Sequence, residues 1–134
     1  MEKKYLAQII ATNSEGLQII SALVAGGKVQ LSEIKYLSSN KVFLLSIERN
    51  KIETKEYDKK INSICRFDLI TKVKSKNIDQ KNKKFILELK AIDYLKNKDD
   101  YEINLIFNDN AHIALTTEAI DVRLDNYDES EKKW

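Results

Sequence analysis

The sequence has no proline, one cysteine and one histidine in 134 residues. Because a disulfide needs two cysteines, the single Cys65 excludes an intramolecular bridge. The single His112 excludes every metal site that uses two histidines, including the common zinc sites with mixed Cys and His ligands, so we expect no metal. The missing proline, in a chain rich in Lys, Asn and Ile, is typical of an AT-rich genome and predicts nothing about the fold.

Long apolar runs are also missing. Residues 17–25 form the longest apolar-rich segment, but Gln18 and Ser21 interrupt it, so it cannot span a bilayer. The first residues, MEKKY, lead into a stretch that is too short for the apolar region of a signal peptide. We therefore expect a cytoplasmic protein without a membrane span.

Neither sign of charge dominates the chain. It has 23 Lys and Arg residues against 21 Asp and Glu, and a net charge of +2 is too small to predict binding to nucleic acid or to an anionic membrane. With 43% hydrophobic and 33% charged residues, the composition is that of a folded protein. The length predicts a single globular domain over residues 1–127, followed by a frayed tail over residues 128–134.

The clearest pattern is a two-residue alternation of apolar and polar side chains in the second half of the chain. Three segments show it, which predicts three half-buried strands joined by tight turns. Their apolar residues are Phe85, Leu87, Leu89 and Ala91, then Tyr101, Ile103, Leu105 and Phe107, then Ala111, Ile113 and Leu115. The connections at 96–100 and 108–110 contain Asn and Asp, which tolerate the left-handed backbone of such turns.

The first half predicts a strand, a helix and a hairpin. Residues 5–11 form a short apolar strand, and residues 12–14 supply side-chain oxygens that cap a helix. Apolar residues at helical spacing follow, and a glycine pair at 26–27 ends the helix. These apolar residues are Leu17, Ile20, Leu23 and Val24, with Ile19 widening the stripe. Residues 29–37 and 41–49 then predict two strands joined at 38–40, the second of which we expect to lie under the helix.

The remaining segments are less regular. Residues 51–60 are mostly charged and predict a solvated loop. Residues 61–67 and 69–75 predict either a pair of strands or one long bent strand, and the pattern does not separate the two. After the alternating region, Thr116 or Thr117 would cap a C-terminal helix. Its apolar side would carry Ala119, Ile120 and Leu124.

Together these elements predict an α+β fold. It is a strongly bent antiparallel meander of about seven strands, with a strand–helix unit before it and a helix after it. A bent meander closed by a terminal helix is the pleckstrin-homology-like arrangement. The alternative is an open antiparallel sheet with two helices on one face, which satisfies the same packing requirement.

No catalytic or cofactor-binding motif accompanies this pattern. Neither the dinucleotide motif Gly-x-Gly-x-x-Gly nor a phosphate loop is present, so we expect no cofactor. His112 alternates with Ile113 and Leu115, which favours an ordinary surface residue. Cys65 lies in a predicted strand, where a lone thiol usually behaves as a small buried hydrophobe. We therefore assign no catalytic residue.

One stretch is rich in positive charge, with six lysines and a single acid, Asp79, between positions 72 and 84. The lysines are Lys72, Lys74, Lys76, Lys81, Lys83 and Lys84. The first three alternate on one strand face and the others flank its turn, so such a hairpin could hold an anionic group or a protein partner. The simpler interpretation, which the pattern favours, is that lysines keep an exposed strand edge unpaired. Nucleic acid is not expected, because no aromatic residues are interleaved for base stacking.

The chain also resembles a known family. The similarity covers the opening strand, helix and hairpin and extends over most of the chain up to Asn126. Its main segments are Arg66-Phe67-Asp68 and residues 71–79, 87–92, 105–107 and 113–124. They resemble domain of unknown function 2948, an uncharacterised alphaproteobacterial family, which implies a single cytoplasmic domain and no established activity. Members tend to have a glycine and an arginine where this chain has Ala111 and Ala114.

The sequence thus predicts a non-enzymatic binding or adaptor module, whose ligand is a protein or an anionic group near the lysines. The alternative is a small-ligand binder or small enzyme whose pocket is formed only by the tertiary structure. An enclosed pocket ringed by converging polar groups would favour that alternative.

Overall fold

An open antiparallel sheet of ten strands, with one α-helix packed against it, forms the described part of the chain. The computed structural model describes residues 5–51 and 56–127, and the side chains of residues 8–50 and 60–125. The strands are β1 (Tyr5–Ala11), β2 (Lys28–Gln30), β3 (Ile34–Leu37), β4 (Val42–Lys51), β5 (Glu56–Phe67), β6 (Ile70–Lys76), β7 (Ile86–Lys96), β8 (Tyr101–Phe107), β9 (His112–Thr117) and β10 (Val122–Tyr127), and the helix is α1 (Ser14–Val24). The antiparallel sheet agrees with the expected class, but it has ten strands, which is more than the predicted N-terminal strand and meander of about seven strands together. The tail expected over residues 128–134 lies outside the described residues.

Helix α1 begins and ends where the sequence places its caps. The side chain of Asn13 accepts a hydrogen bond from the Gly16 amide at 2.8 Å, and Gly26 after the helix has a φ of +85°. The helix packs mainly against β7 and β1, so the expectation that it covers β4 is wrong. Ile19 does not widen the apolar face, because its side chain is 56% exposed. Among the described residues, no helix is long and apolar enough to cross a membrane.

The strand predicted over residues 29–37 is two short strands. β2 ends at Gln30, a 3₁₀ turn covers Leu31–Glu33, and β3 begins at Ile34. β2 lies between β4 and β7, whereas β3 pairs only with β4, starting at Ile34↔Leu45. The predicted hairpin is therefore confirmed for β3 and β4. The 3₁₀ turn separates the two strands, so that β3 continues along β4 while β2 lies between β4 and β7 and joins the two halves of the sheet.

β5 and β6 are separate strands that do not pair with each other. β5 lies between β4 and β10, and β6 pairs only with β9 at the far end of the sheet. Leu69 between them has a φ of +63°, which turns the chain from one half of the sheet into the other. Of the two sequence interpretations, two strands are confirmed, although they do not pair with each other, and one long bent strand is wrong. β5 begins at Glu56, so part of the loop predicted over 51–60 is strand, and residues 52–55 lie outside the described residues.

β7, β8 and β9 form the predicted meander. Asp109 and Asn110 have φ values of +57° and +62°, which confirms the left-handed turn between β8 and β9. The inward face of β7 differs from the prediction, because a register shift just before Ala91 buries Ile92 in its place. Phe85 is also misassigned, since it precedes β7 and its side chain is 46% exposed.

The predicted C-terminal helix is wrong, because Val122–Tyr127 is strand β10. Val122 and Leu124 are buried and Arg123 between them is exposed, which is the alternation of a strand. β10 pairs with β1 on one edge and with β5 on the other, so pairing with two strands overrides the local preference for a helix. Without that helix the described chain lacks the terminal closure of the pleckstrin-homology-like arrangement. It also contains only one of the two helices in the alternative.

The strand order leaves three edges without a second partner. The order is β1-β10-β5-β4-β2-β7-β8-β9-β6, with β3 beside β4. Within residues 5–51 and 56–127, β1, β3 and β6 therefore each pair with one neighbour only. The sheet curls until β6 approaches β3, where the Tyr36 hydroxyl donates a hydrogen bond to the Ile70 carbonyl at 2.9 Å. A cluster of buried apolar residues fills the curl, including the edge-to-face pair Phe43 and Phe67.

Candidate functional site

A groove of about 280 Å³ lies where the curled sheet does not close, between the free edges of β3 and β6. Ile34 and Tyr36 line it from β3, and Val73 and Ser75 line it from β6. Its floor consists of buried core residues, which are Leu31, Phe43 and Ile113. We call this hollow the β3–β6 groove.

Hydrogen bonds join the two sides of the groove at both ends. At one end the Tyr36 hydroxyl donates to the Ile70 carbonyl, and the Ile70 amide donates to the Lys41 carbonyl, each at 2.9 Å. At the other end the Ser32 amide donates to the Lys83 carbonyl, also at 2.9 Å. The bonds of Ile70 hold β6 against β3 and the β3–β4 turn, and the bond of Ser32 holds the 3₁₀ turn against the β6–β7 loop. The chain by itself therefore forms the groove.

The loop between β6 and β7 covers one side of the groove. Ile78 and Gln80 of this loop line it. The Gln80 side-chain amide donates a hydrogen bond to the Ser75 hydroxyl at 2.9 Å, and the Asn77 side-chain amide donates to the Asn110 carbonyl at 3.0 Å. The loop is thus fastened to β6 and to the β8–β9 turn, which keeps its polar side chains at the groove rim.

Both strands beside the groove present an edge without a strand partner. β6 has seven residues and pairs only with β9, and β3 pairs only with β4. Along an antiparallel strand, every second residue directs its N–H and C=O groups to the same edge. Among the described residues, no backbone group from another element bonds residues 72–76 on their free edge. Those donors and acceptors are available to a further strand.

The six lysines named from the sequence are all exposed, but they do not form a hairpin, because β6 and β7 are not paired. Lys72, Lys74 and Lys76 lie on β6, and Lys81, Lys83 and Lys84 lie in the loop that follows. Val73 and Ser75 alternate with the first three and line the groove, so those three lysines project from the opposite face of β6. Lys83 lines the groove itself. Within residues 8–50 and 60–125, none of the six has an ion-pair partner.

The single histidine and the single cysteine, His112 and Cys65, both lie in surroundings that serve the fold and not a reaction. His112 is half-buried, and its Nε2 lies 2.7 Å from Asn104 Oδ1 on the neighbouring strand β8. Cys65 is fully buried as predicted, and burial, followed by the negative charge of Asp125, raises the pKa of its thiol. A protonated thiol is a poor nucleophile. In the part of the chain that the structure describes, no three His, Cys, Asp or Glu side chains are grouped to hold a metal ion.

Two further hollows differ from the groove in their lining. One of about 250 Å³ is lined by polar and charged residues such as Lys28 and Glu48. The other, of about 300 Å³, lies at the start of α1 and is lined by Asn13, Tyr94 and Tyr101 among others. Pockets for small molecules usually have about 300–1,000 Å³ and enclose most of the ligand. All three hollows are at the lower limit of that range or below it and are open to solvent, so none resembles the enclosed pocket of the small-ligand alternative.

Sequence reasoning identified Lys83 and missed the rest of the groove. Val73 and Ser75 stand between the predicted lysines, and their alternation alone assigns them to the opposite face of the strand. Nothing local indicates that β3 lies across from that face. The contact that brings the strands together joins Tyr36 to Ile70, 34 positions apart, and no pattern within either strand signals it.

A family comparison covers nearly all of the described chain. The family model described as "Protein of unknown function (DUF2948)" matches residues 7–133. The chain belongs to this family. The matched residues include β3, β6 and the loop that lines the groove, so the groove lies within the part of the chain that this family model spans. No curated protein and no solved structure matches the chain. Membership of the family supplies no activity, and the function has to be inferred from the site itself.

Proposed function

We propose that this protein is a non-enzymatic binding or adaptor module that takes a protein partner in the β3–β6 groove. One observation carries the proposal, namely that a groove with an apolar floor and a free strand edge occur at the same place. Folded proteins normally cover or block their free edges. A free edge next to side-chain pockets is the arrangement with which several domain classes bind a segment of another protein.

The shape of the groove favours a protein segment over a small molecule. Its floor is apolar, with Phe43 and Ile113, whereas Gln80 and Lys83 give it a polar rim. An open groove covers only one side of its occupant, so a small molecule would keep much of its surface in water. A protein segment gains affinity along the whole length of the groove and does not need to be enclosed.

The lysines belong to this proposed binding surface. Lys83 would contact the partner directly. Lys72, Lys74 and Lys76 lie on the other face of β6, and Lys81 and Lys84 lie in the loop that follows, so all five add positive charge to the elements beside the groove. Screening at physiological salt limits the reach of exposed charges to about 8 Å, so neighbouring lysines on β6 would act together, attract an anionic partner and speed its association. We place this binding in the cytoplasm, in accordance with the sequence.

A random peptide library panned against the full chain tests the proposal. Ser75→Trp places a large ring in the groove from an exposed position on β6, so it should block binding without disturbing the core. Arg123→Trp is the matched control, because it puts the same ring on an exposed position of β10. Circular dichroism melts of both variants verify that they fold.

We expect selected peptides to bind the natural chain and Arg123→Trp equally and to lose at least about tenfold in affinity, or roughly 1.4 kcal/mol, with Ser75→Trp. Two results would overturn the proposal. One is a library that yields no peptide with a dissociation constant below about 100 μM. The other is a set of peptides that bind Ser75→Trp as well as the natural chain.

A further inference from the structure

The partner segment can be specified further from β6 itself. We propose that the occupant of the groove is an extended acidic segment that adds to the free edge of β6 as another strand, with apolar and acidic side chains in alternation. This inference rests on the proposed function and names the class of partner for the same site. Three features of β6 support it, namely its free backbone groups, the two faces of the strand and its charge.

The backbone of β6 offers a template of suitable length. In the part of the chain that the structure describes, residues 72–76 have no strand partner on the groove side, and at about 3.3 Å per residue they extend over roughly 16 Å. A partner of five to seven residues would match that length. Its main chain would form the hydrogen bonds that the free edge lacks, and these bonds do not depend on the partner's sequence.

The two faces of β6 predict the pattern of the partner's side chains. A strand added to a sheet directs its side chains alternately to the same two faces as its neighbour. On the groove face the partner would lie beside Val73 and Ser75, above the apolar floor. An engineered apolar cavity of about 150 Å³ holds one benzene, so a groove of about 280 Å³ accepts roughly two apolar side chains, at positions i and i+2 of the partner.

On the opposite face the partner would lie beside Lys72, Lys74 and Lys76. The stretch from 72 to 84 has six lysines and one acid, which is a local excess of five positive charges. These lysines are exposed, and none of them has an ion-pair partner among the described residues. Cross-strand pairs of opposite charge stabilise a sheet and pairs of like charge destabilise it. The positions between the apolar side chains of the partner are therefore expected to be Glu or Asp.

The same lysines explain why the edge does not accept every strand. Lysine on an edge strand is a common protection against pairing with other chains, since two such edges repel each other. A basic segment would be repelled by the lysines, and a neutral segment would desolvate them without supplying an opposite charge. An acidic segment removes the penalty. The lysines that keep other strands off this edge therefore favour an acidic partner.

Binding of designed peptides to the full chain tests the inference. The probe is a fluorescently labelled peptide, EVELEVE, which alternates acidic and apolar residues. Three peptides serve as comparisons: the basic KVKLKVK, the scrambled VEEEELV, and EVELEVE with every second backbone amide methylated so that it cannot donate. The protein variants are Lys74→Glu/Lys76→Glu on β6 and, as a control of equal charge change, Lys60→Glu/Lys98→Glu on β5 and the β7–β8 turn.

We expect EVELEVE to bind the natural chain more weakly as salt rises, and each comparison peptide to bind at least about tenfold more weakly than EVELEVE. The Lys74→Glu/Lys76→Glu variant should lose about tenfold, and the control variant less than about threefold. In amide exchange, those amides of residues 72–76 that face away from β9 should become protected on binding, whereas the amides of β1 that face away from β10 should not change. Equal binding of EVELEVE and KVKLKVK, or equal binding of the methylated peptide, would overturn the inference.

The proposed function and this inference can fail separately. If library peptides lose binding with Ser75→Trp but EVELEVE does not bind, the groove is a binding site and the acidic strand is wrong. If neither the library nor EVELEVE supplies a peptide that depends on Ser75, both are wrong.

Discussion

Replacing Leu105 by alanine tests the inward face of the meander. Leu105 is 0% exposed, and the buried residues Ile92 and Ile113 stand opposite it on the two flanking strands. Leucine-to-alanine changes in protein cores cost about 2.7–5.0 kcal/mol, and the cost is highest where the neighbours cannot move in to fill the cavity. Because strand pairing on both sides holds these neighbours in register, we expect the free energy of unfolding to fall by about 3–5 kcal/mol.

The matched control is Ile106→Ala, the next residue on β8, which points to the opposite face and is 36% exposed. Its loss should be about 1 kcal/mol, because only part of its surface is removed from water. Urea unfolding followed by circular dichroism measures both. With a slope of about 2 kcal/mol per M, the midpoint falls by roughly 2 M for Leu105→Ala and by roughly 0.5 M for the control. Equal small shifts would refute the assigned inward face.

Three further predictions concern single groups. Hydrogen bonds from Lys90 and then Lys28 lower the pKa of Glu88. The stability that this carboxylate contributes is therefore present above its unfolded pKa and is lost as the pH falls through its folded pKa. An NMR titration of Glu88 should show a low midpoint, and the midpoint should return to the ordinary value when both lysines are replaced by methionine. Burial raises the pKa of the Cys65 thiol, so the thiol should resist iodoacetamide at pH 8 until urea unfolds the chain. Rapid labelling of the native protein would contradict the burial of Cys65. A Cβ on Gly27 would lie 2.9 Å from the carbonyl oxygen of Val24, the last residue of α1. Gly27→Ala should therefore lower the free energy of unfolding by about 1–3 kcal/mol. An unchanged thermal midpoint of this variant would show that the backbone relaxes without cost.

Elements with local signals could be predicted from the sequence. Asn13 and Gly26 mark the ends of α1, because a cap needs only a side-chain oxygen or a residue that accepts positive φ. The alternation over β8 and β9 predicts their buried faces, and Asp109 and Asn110 predict the turn between them. The burial of Cys65 follows from its place in a strand, where it lies on the same face as the buried Ile61 and Phe67. Each of these features depends on residues within one element or one turn.

Features that depend on distant partners could not be predicted in this way. Residues 118–126 have the composition of a short helix, yet Val122–Tyr127 is a strand because β1 and β5 supply partners on both of its edges. The bulge before Ala91 buries Ile92 in place of Ala91, whereas Leu87 and Leu89 before it are buried as the alternation predicts. Phe85 looks like a core residue but precedes the strand and is exposed.

The candidate site also combines a part that can be read from the sequence with a part that depends on the tertiary structure. The alternation of Lys72, Val73 and Lys74 gives β6 one basic face and one less polar face, and this can be read from the chain. Whether the less polar face meets solvent, a neighbouring strand or a groove depends on how the sheet curls, and the curl brings β3 to β6 through the bond from Tyr36 to Ile70. A strand's period sets the direction of its side chains, but its neighbours are chosen by hydrogen bonding and packing over the whole sheet. The lysines were therefore visible in the sequence, and the groove beside them exists only in the folded protein.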